Sequence, residues 1–87
     1  MADVHLPGTL PPLFPGLTRH VEVEASTVGE VVDRLEEQWP GMRDRLVQPG
    51  PLIRPHIHFY VDRERAGLEK KIQPGSRIEV IAAISGG

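Results

Sequence analysis

Apolar residues in the stretch 27–39 recur at helical spacing: Val28, Val31, Val32, Leu35 and Trp39 fall at i, i+3, i+4, i+7 and i+11 and make one stripe. Thr27-Val28-Gly29-Glu30 has the spacing of a capping box, in which the Thr hydroxyl and the Glu carboxylate each accept from a free amide at the helix start. Pro40 closes this helix, because proline lacks the N–H and disfavours helical backbone in the residue before it. Met42 and Leu46 carry the apolar edge onward into a looser turn.

Elsewhere the pattern changes to period two, the signature of strands with one buried face. In residues 18–24, Val21 and Val23 point one way and His20, Glu22 and Glu24 the other. In residues 56–62, Ile57, Phe59 and Val61 oppose His56, His58 and Tyr60. In residues 77–83, Ile78, Val80 and Ala82 oppose Arg77, Glu79, Ile81 and Ala83. Val4 and Leu6 predict a shorter strand over 3–6, cut by Pro7, and Ile72 fills the core from a turn ahead of the last strand. Pro7-Gly8, Pro11-Pro12 and Pro15-Gly16 mark a first loop, Pro49-Gly50-Pro51 and Pro55 a second, and Pro74-Gly75 a tight turn. A single helix covers a single sheet face, which is why the alternation is clean. The helix crossing brings the first and last strands together as parallel neighbours. The expected fold is α+β: a β-grasp of four to five strands in a mixed sheet on one main helix, one domain over 1–87 with a tail at 84–87.

Composition narrows the chemistry. A chain of 87 residues, 39% apolar and 25% charged, supports one core and no separate substrate and cofactor lobes. There is no cysteine, which excludes a disulfide scaffold, a thiolate zinc site and a Cys nucleophile. Ten Lys and Arg against twelve Asp and Glu give a net charge of −2, so there is no basic footprint for nucleic acid or an anionic membrane. No apolar run is long enough to span a bilayer and no signal peptide is visible, so a cytoplasmic protein is expected. Asp33, Glu36 and Glu37 form the solvated side of the helix and do not pair across a cleft. His56 and His58 share a strand face without a third ligand at metal spacing, so they read as part of a polar outer face and no metal site is expected.

The last strand leads into Ala82-Ala83-Ile84-Ser85-Gly86-Gly87. Two glycines can enter a channel too narrow for side chains, and they end in a carboxylate that another enzyme could activate as an acyl-adenylate. The competing reading is a frayed, idle end.

Several of these segments together resemble the ThiS/MoaD ubiquitin-like sulfur carriers. They are Thr-Val-Gly-Glu-Val-Val-Asp-Arg-Leu at 27–35, Phe-Tyr-Val-Asp at 59–62, Ile-Gln-Pro-Gly-Ser-Arg-Ile-Glu-Val-Ile at 72–81, and Gly86-Gly87. Leu13-Phe14-Pro15-Gly16 and Arg43-Asp44-Arg45-Leu46 look most like the carriers that serve an O-phosphoserine-type cysteine synthase, while Ile84-Ser85 departs from the Val-Ala expected there. The resemblance implies a non-catalytic cosubstrate that binds no cofactor. A ThiF/MoeB-type partner would use ATP and magnesium to adenylate Gly87, and the resulting thiocarboxylate would supply sulfur to an enzyme such as a cysteine synthase. Molybdopterin, thiamine or secondary-metabolite synthesis are the other destinations it allows. A JAMM-type protease enters if the chain is made as a longer precursor. On the same resemblance Gly86 gives clearance and Ile84 and Ser85 line the channel entrance. Tyr60 and Ile81 on the outer face, with Leu13 and Phe14 in the first loop, are the expected partner contacts; capping of the core is the other reading of the loop residues. The alternative function is a ubiquitin-like modifier joined through Gly87 to target lysines.

Overall fold

Residues 1–83 are described by the computed structural model. In chain order the elements are β1 (Ala2–His5), a 3-10 turn (Pro11–Leu13), β2 (His20–Val23), α1 (Val28–Gln38), α2 (Met42–Leu46), β3 (Val47–Gln48), β4 (Leu52–Ile53), β5 (Ile57–Val61), β6 (Glu64–Ala66) and β7 (Arg77–Ala82).

The capping box at the start of α1 forms. Thr27 Oγ1 accepts from Glu30 N at 3.1 Å, and Glu30 Oε1 accepts in return from Ser26 N at 2.7 Å, one residue ahead of the cap. Val28, Val31, Val32 and Leu35 turn inward and are buried, with Trp39 half-buried beyond them. After Pro40 the backbone passes through Gly41 at φ +101°, a left-handed value that favours glycine. A second short helix then starts, where the sequence predicts only a looser turn. Its cap comes from α1: the Glu36 carboxylate accepts from Arg43 N at 2.8 Å and from Gly41 N at 3.2 Å. Those two bonds, Arg43 first, hold the Glu36 carboxyl below its ordinary pKa. Met42 and Leu46 are fully enclosed as a result.

The main sheet has the order β2-β1-β7-β5-β6. β1 and β7 run parallel in register Val4 to Ile78, and the other pairs are antiparallel. This is the β-grasp arrangement, with the first and last strands adjacent at the sheet centre. Val4, Val23, Ile57, Phe59, Val61, Ile78 and Val80 face α1 and are buried, as their alternation predicts. Ala2 and Leu6 join them. Ile72 is buried too, its amide bonded to Ser26 O at 2.9 Å. The β3–β4 ladder and β6 carry no periodic signal and add to the predicted elements. β5 turns into β6 at Asp62 and Arg63, both at positive φ, and Asp62 Oδ1 accepts from Arg77 N at 3.0 Å to tie the turn to β7. Among the described residues no helix is long and apolar enough to cross a membrane.

Candidate functional site

β7 lies between β1 and β5 at the centre of the sheet, so the strand that leads to the C-terminus is held on both sides. The ladder continues one residue past it, with Ala83 N donating to His56 O at 2.7 Å. The predicted tail positions Ile84, Ser85, Gly86 and Gly87 lie outside the described residues. The structure therefore defines the surface at the root of the tail.

That surface is assembled from three separate segments. Ala82 borders a shallow depression that it shares with Pro7, Thr9, Leu13, Arg45 and His56. A wider hollow beside it is lined by Leu13, Phe14, Asp44, Arg45, Arg54 and His56. Arg54 is fixed by its Nε, which donates to Asp44 O at 2.5 Å, and by its amide, which donates to Leu46 O at 3.0 Å. Among the described residues no salt bridge engages Arg45 or Arg54, so the rim carries two guanidinium groups against the one carboxylate of Asp44 and is net positive.

The two loop residues expected to contact a partner part company. Leu13 closes the 3-10 turn and stands 49% exposed. Phe14 is only 9% exposed and belongs to the core with Leu10 and Leu17. Its ring lies against Gly41, where an added Cβ would meet it at 3.5 Å. Phe14 thus closes the end of the core, and Leu13 alone of the pair offers apolar surface. Leu10 and Leu17 turn inward with Phe14, but in this proline-broken loop no helical or strand period applies. Leu13 at i+3 of Leu10 would fall on the same stripe as Phe14, so the sequence carries no signal that separates the two.

Tyr60 and Ile81 share the outer face on adjacent strands, as expected. Ile81 pairs with His58 and Tyr60 with Glu79 and Arg65. Ile81 is 45% exposed, while Tyr60 is half-buried. Pro7, Thr9 and Ala82 border both the depression at Leu13 and the groove at Ile81. Leu13 and Ile81 are thereby joined in one band around the tail root, and Tyr60 sits farther along the face. His58 is half-buried between the strands, its Nδ1 enclosed without a hydrogen-bond partner.

One polar cluster on this face was not singled out from the sequence. Asp3 accepts from the rings of His5 and His20, and these bonds, His20 first, outweigh its partial burial and hold its carboxyl below the ordinary value.

Comparisons with known proteins point in one direction. Residues 4–87 match the ThiS family. No curated protein matches the chain in sequence. Among solved structures it is similar to a chain of the Amycolatopsis orientalis BexX/CysO complex, at TM-score 0.87 and 28% identity over 100% of both chains. It is also similar to Mycobacterium tuberculosis CysO, described as an antigen, at TM-score 0.85 and 26% identity over 97% of this chain and 100% of that one. SAMP1 from Haloferax volcanii shares the fold at TM-score 0.77 and 24% identity, over 99% of this chain and 98% of that one.

Proposed function

We propose that this chain, which belongs to the ThiS family, is a sulfur carrier that works through the carboxylate of Gly87 and catalyses nothing itself. The observation that carries the reading is the continuity of β7 with the tail. The central strand is laddered on both sides and onward to Ala83, and Ile84-Ser85-Gly86-Gly87 follow directly in sequence within the family match. The central strand ends at a fixed point beside the depression at Leu13, so a partner that seats the domain there meets the residues that follow it.

The chemistry belongs to the partners. In a ThiF/MoeB-type enzyme the Gly87 carboxylate attacks the α-phosphorus of magnesium-bound ATP, pyrophosphate leaves, and an acyl-adenylate forms. Hydrosulfide then attacks the acyl carbon and expels AMP, leaving a thiocarboxylate. In the sulfur-accepting enzyme the thiocarboxylate sulfur displaces a leaving group from an electrophilic carbon of the acceptor substrate, forming the C–S bond as the bond to the leaving group breaks. Hydrolysis of the resulting thioester releases the thiol product and returns the carboxylate. With no cysteine in the chain, no side-chain thiol competes to carry the sulfur. Leu13 and Ile81 are the apolar contacts that flank the tail during these steps, and Arg45 and Arg54 supply the charge that would meet an acidic partner surface. A cysteine synthase is the first choice of acceptor. The occurrence of a chain of this fold, 28% identical, in a complex of BexX with CysO supports action through a protein partner.

Intact mass of the protein from its native host, purified without acid, tests the proposal. Exchange of one oxygen for sulfur, mapped to the peptide ending at Gly87, is the expected result. A terminus beyond Gly87 that no JAMM-type protease trims, or a Gly87 that the adenylating partner does not activate, overturns it. A ladder of heavier species with Gly-Gly remnants on lysines of other proteins moves the assignment to a ubiquitin-like modifier.

A further inference from the structure

The β1–β2 register sets His5 directly opposite His20 and Asp3 opposite Glu22. Strand alternation sends all four to the outer face, away from α1. The rings of His5 and His20 stack with centroids 4.6 Å apart and planes 13° from parallel. Both Nε2 atoms turn toward one carboxylate: His5 Nε2 lies 3.2 Å from Asp3 Oδ2, and His20 Nε2 contacts Asp3 Oδ1. One ligand atom from each of the three residues lies within 4.8 Å of the others.

Two imidazole nitrogens and one carboxylate oxygen make a donor set that borderline divalent ions such as zinc accept. Donors bound to one tetrahedral ion at about 2.0–2.2 Å stand roughly 3.3 Å apart, so side-chain torsions alone can close this cluster around an ion. The backbone that carries it is a paired ladder and needs no rearrangement. Three protein ligands leave a fourth position open, and the partial exposure of Asp3, His5 and His20 keeps that position accessible to water or to a donor from another molecule. His56 and His58 give the contrast: among the described residues they belong to no group of three candidate ligands.

We propose that Asp3, His5 and His20 form a binding site for a divalent transition-metal ion of the zinc class. The site is independent of the sulfur-carrier reading, since it uses no tail residue and would bind metal whether or not Gly87 is activated. It lies on the same face as Ile81, separated from it along β7 by Glu79, the partner of His5.

Titration of the tag-free chain with Zn²⁺ at pH 7.5 in a non-chelating buffer, followed by calorimetry and by NMR of the histidine rings, tests the proposal. The expected result is one ion per chain, with the His5 and His20 resonances moving first. His5→Ala and His20→Ala should each weaken binding at least about tenfold, since losing only a supporting group around a metal site already costs 10–100-fold. Asp3→Asn should weaken it too, and His58→Gln should leave it unchanged. Metal-free thermal melts establish that each variant is folded, and the wild-type NMR titration decides the matter if one is not. Absence of saturable binding, first shifts at His56 or His58, or full affinity in His20→Ala overturns the proposal.

Discussion

Leu13 and Phe14 are neighbours in sequence, yet the fold gives them opposite duties, and replacing each by alanine separates the two. Phe14 is 9% exposed, so Phe14→Ala empties a core position and should cost about 3–5 kcal/mol. A chain of 87 residues has roughly 4–13 kcal/mol of total stability, so this loss takes at least about a fifth of it. Each kcal/mol moves the melting temperature of a domain this size by about 4–8 °C, which puts the Phe14→Ala melt at least about 12 °C below wild type. Leu13 is 49% exposed. Full burial of a leucine is worth about 1.5–3 kcal/mol, so the half already inside the fold accounts for roughly 1 kcal/mol of stability. The exposed half represents a similar amount that only a docked partner can recover. Leu13→Ala should therefore lower the melt by about 4–8 °C and weaken partner binding about fivefold. Circular dichroism melts read the first effect. ATP–pyrophosphate exchange by the proposed ThiF/MoeB-type partner, with the concentration of this chain varied, reads the second as a rise in KM. An unchanged KM for Leu13→Ala, or a Phe14→Ala melt no lower than that of Leu13→Ala, would refute the division of labour.

Thr27→Ala removes the hydroxyl that accepts from Glu30 N and should cost about 1 kcal/mol in chemical denaturation, with Thr27→Ser retaining most of it. Glu36 is depressed by the amides of Arg43 and Gly41, so its contribution is present above its unfolded-state pKa and lost as pH falls through the lower folded-state value. Denaturation of wild type and Glu36→Gln at pH 7 and again well below pH 4 should show a stability gap that closes on the acid side; a gap independent of pH would count against the assigned cap. Deleting Gly86 and Gly87 should abolish pyrophosphate exchange while leaving the melt unchanged, whereas an idle tail predicts no effect on either.

The fold was legible wherever one residue type repeated at one period. Val28, Val31, Val32 and Leu35 face one way on a helix, and Ile57, Phe59 and Val61 face one way on a strand, so burial and periodicity agree. β6 escaped because Glu64 and Arg65 are both exposed at the sheet edge and only Ala66 turns partly inward, which leaves no alternation to see. α2 escaped because Pro40 and Gly41 look like an ending, and the cap that restarts the helix is a carboxylate supplied from α1. Phe14 was grouped with Leu13 because adjacency in a proline-rich loop says nothing of direction, and the spacing of Leu10, Leu13, Phe14 and Leu17 does not separate the buried from the exposed.

The candidate sites were harder to read than the fold, and the reason is register. Alternation fixes only which face a residue occupies: a slip of one position would turn every side chain of a strand over, and burial forbids it. A slip of two keeps every face and every core residue on its proper side, so the hydrophobic pattern tolerates it. Yet a two-residue slip of β2 along β1 would move His20 from opposite His5 to a neighbouring pair, separating the rings that now stack at 4.6 Å. The same holds at the tail root, where Leu13, Arg45 and His56 come from segments whose relative placement no local period encodes. A tail, by contrast, needs no partner from elsewhere in the chain to be noticed, which is why Gly86-Gly87 stood out from sequence while the surface beside it and the histidine pair did not.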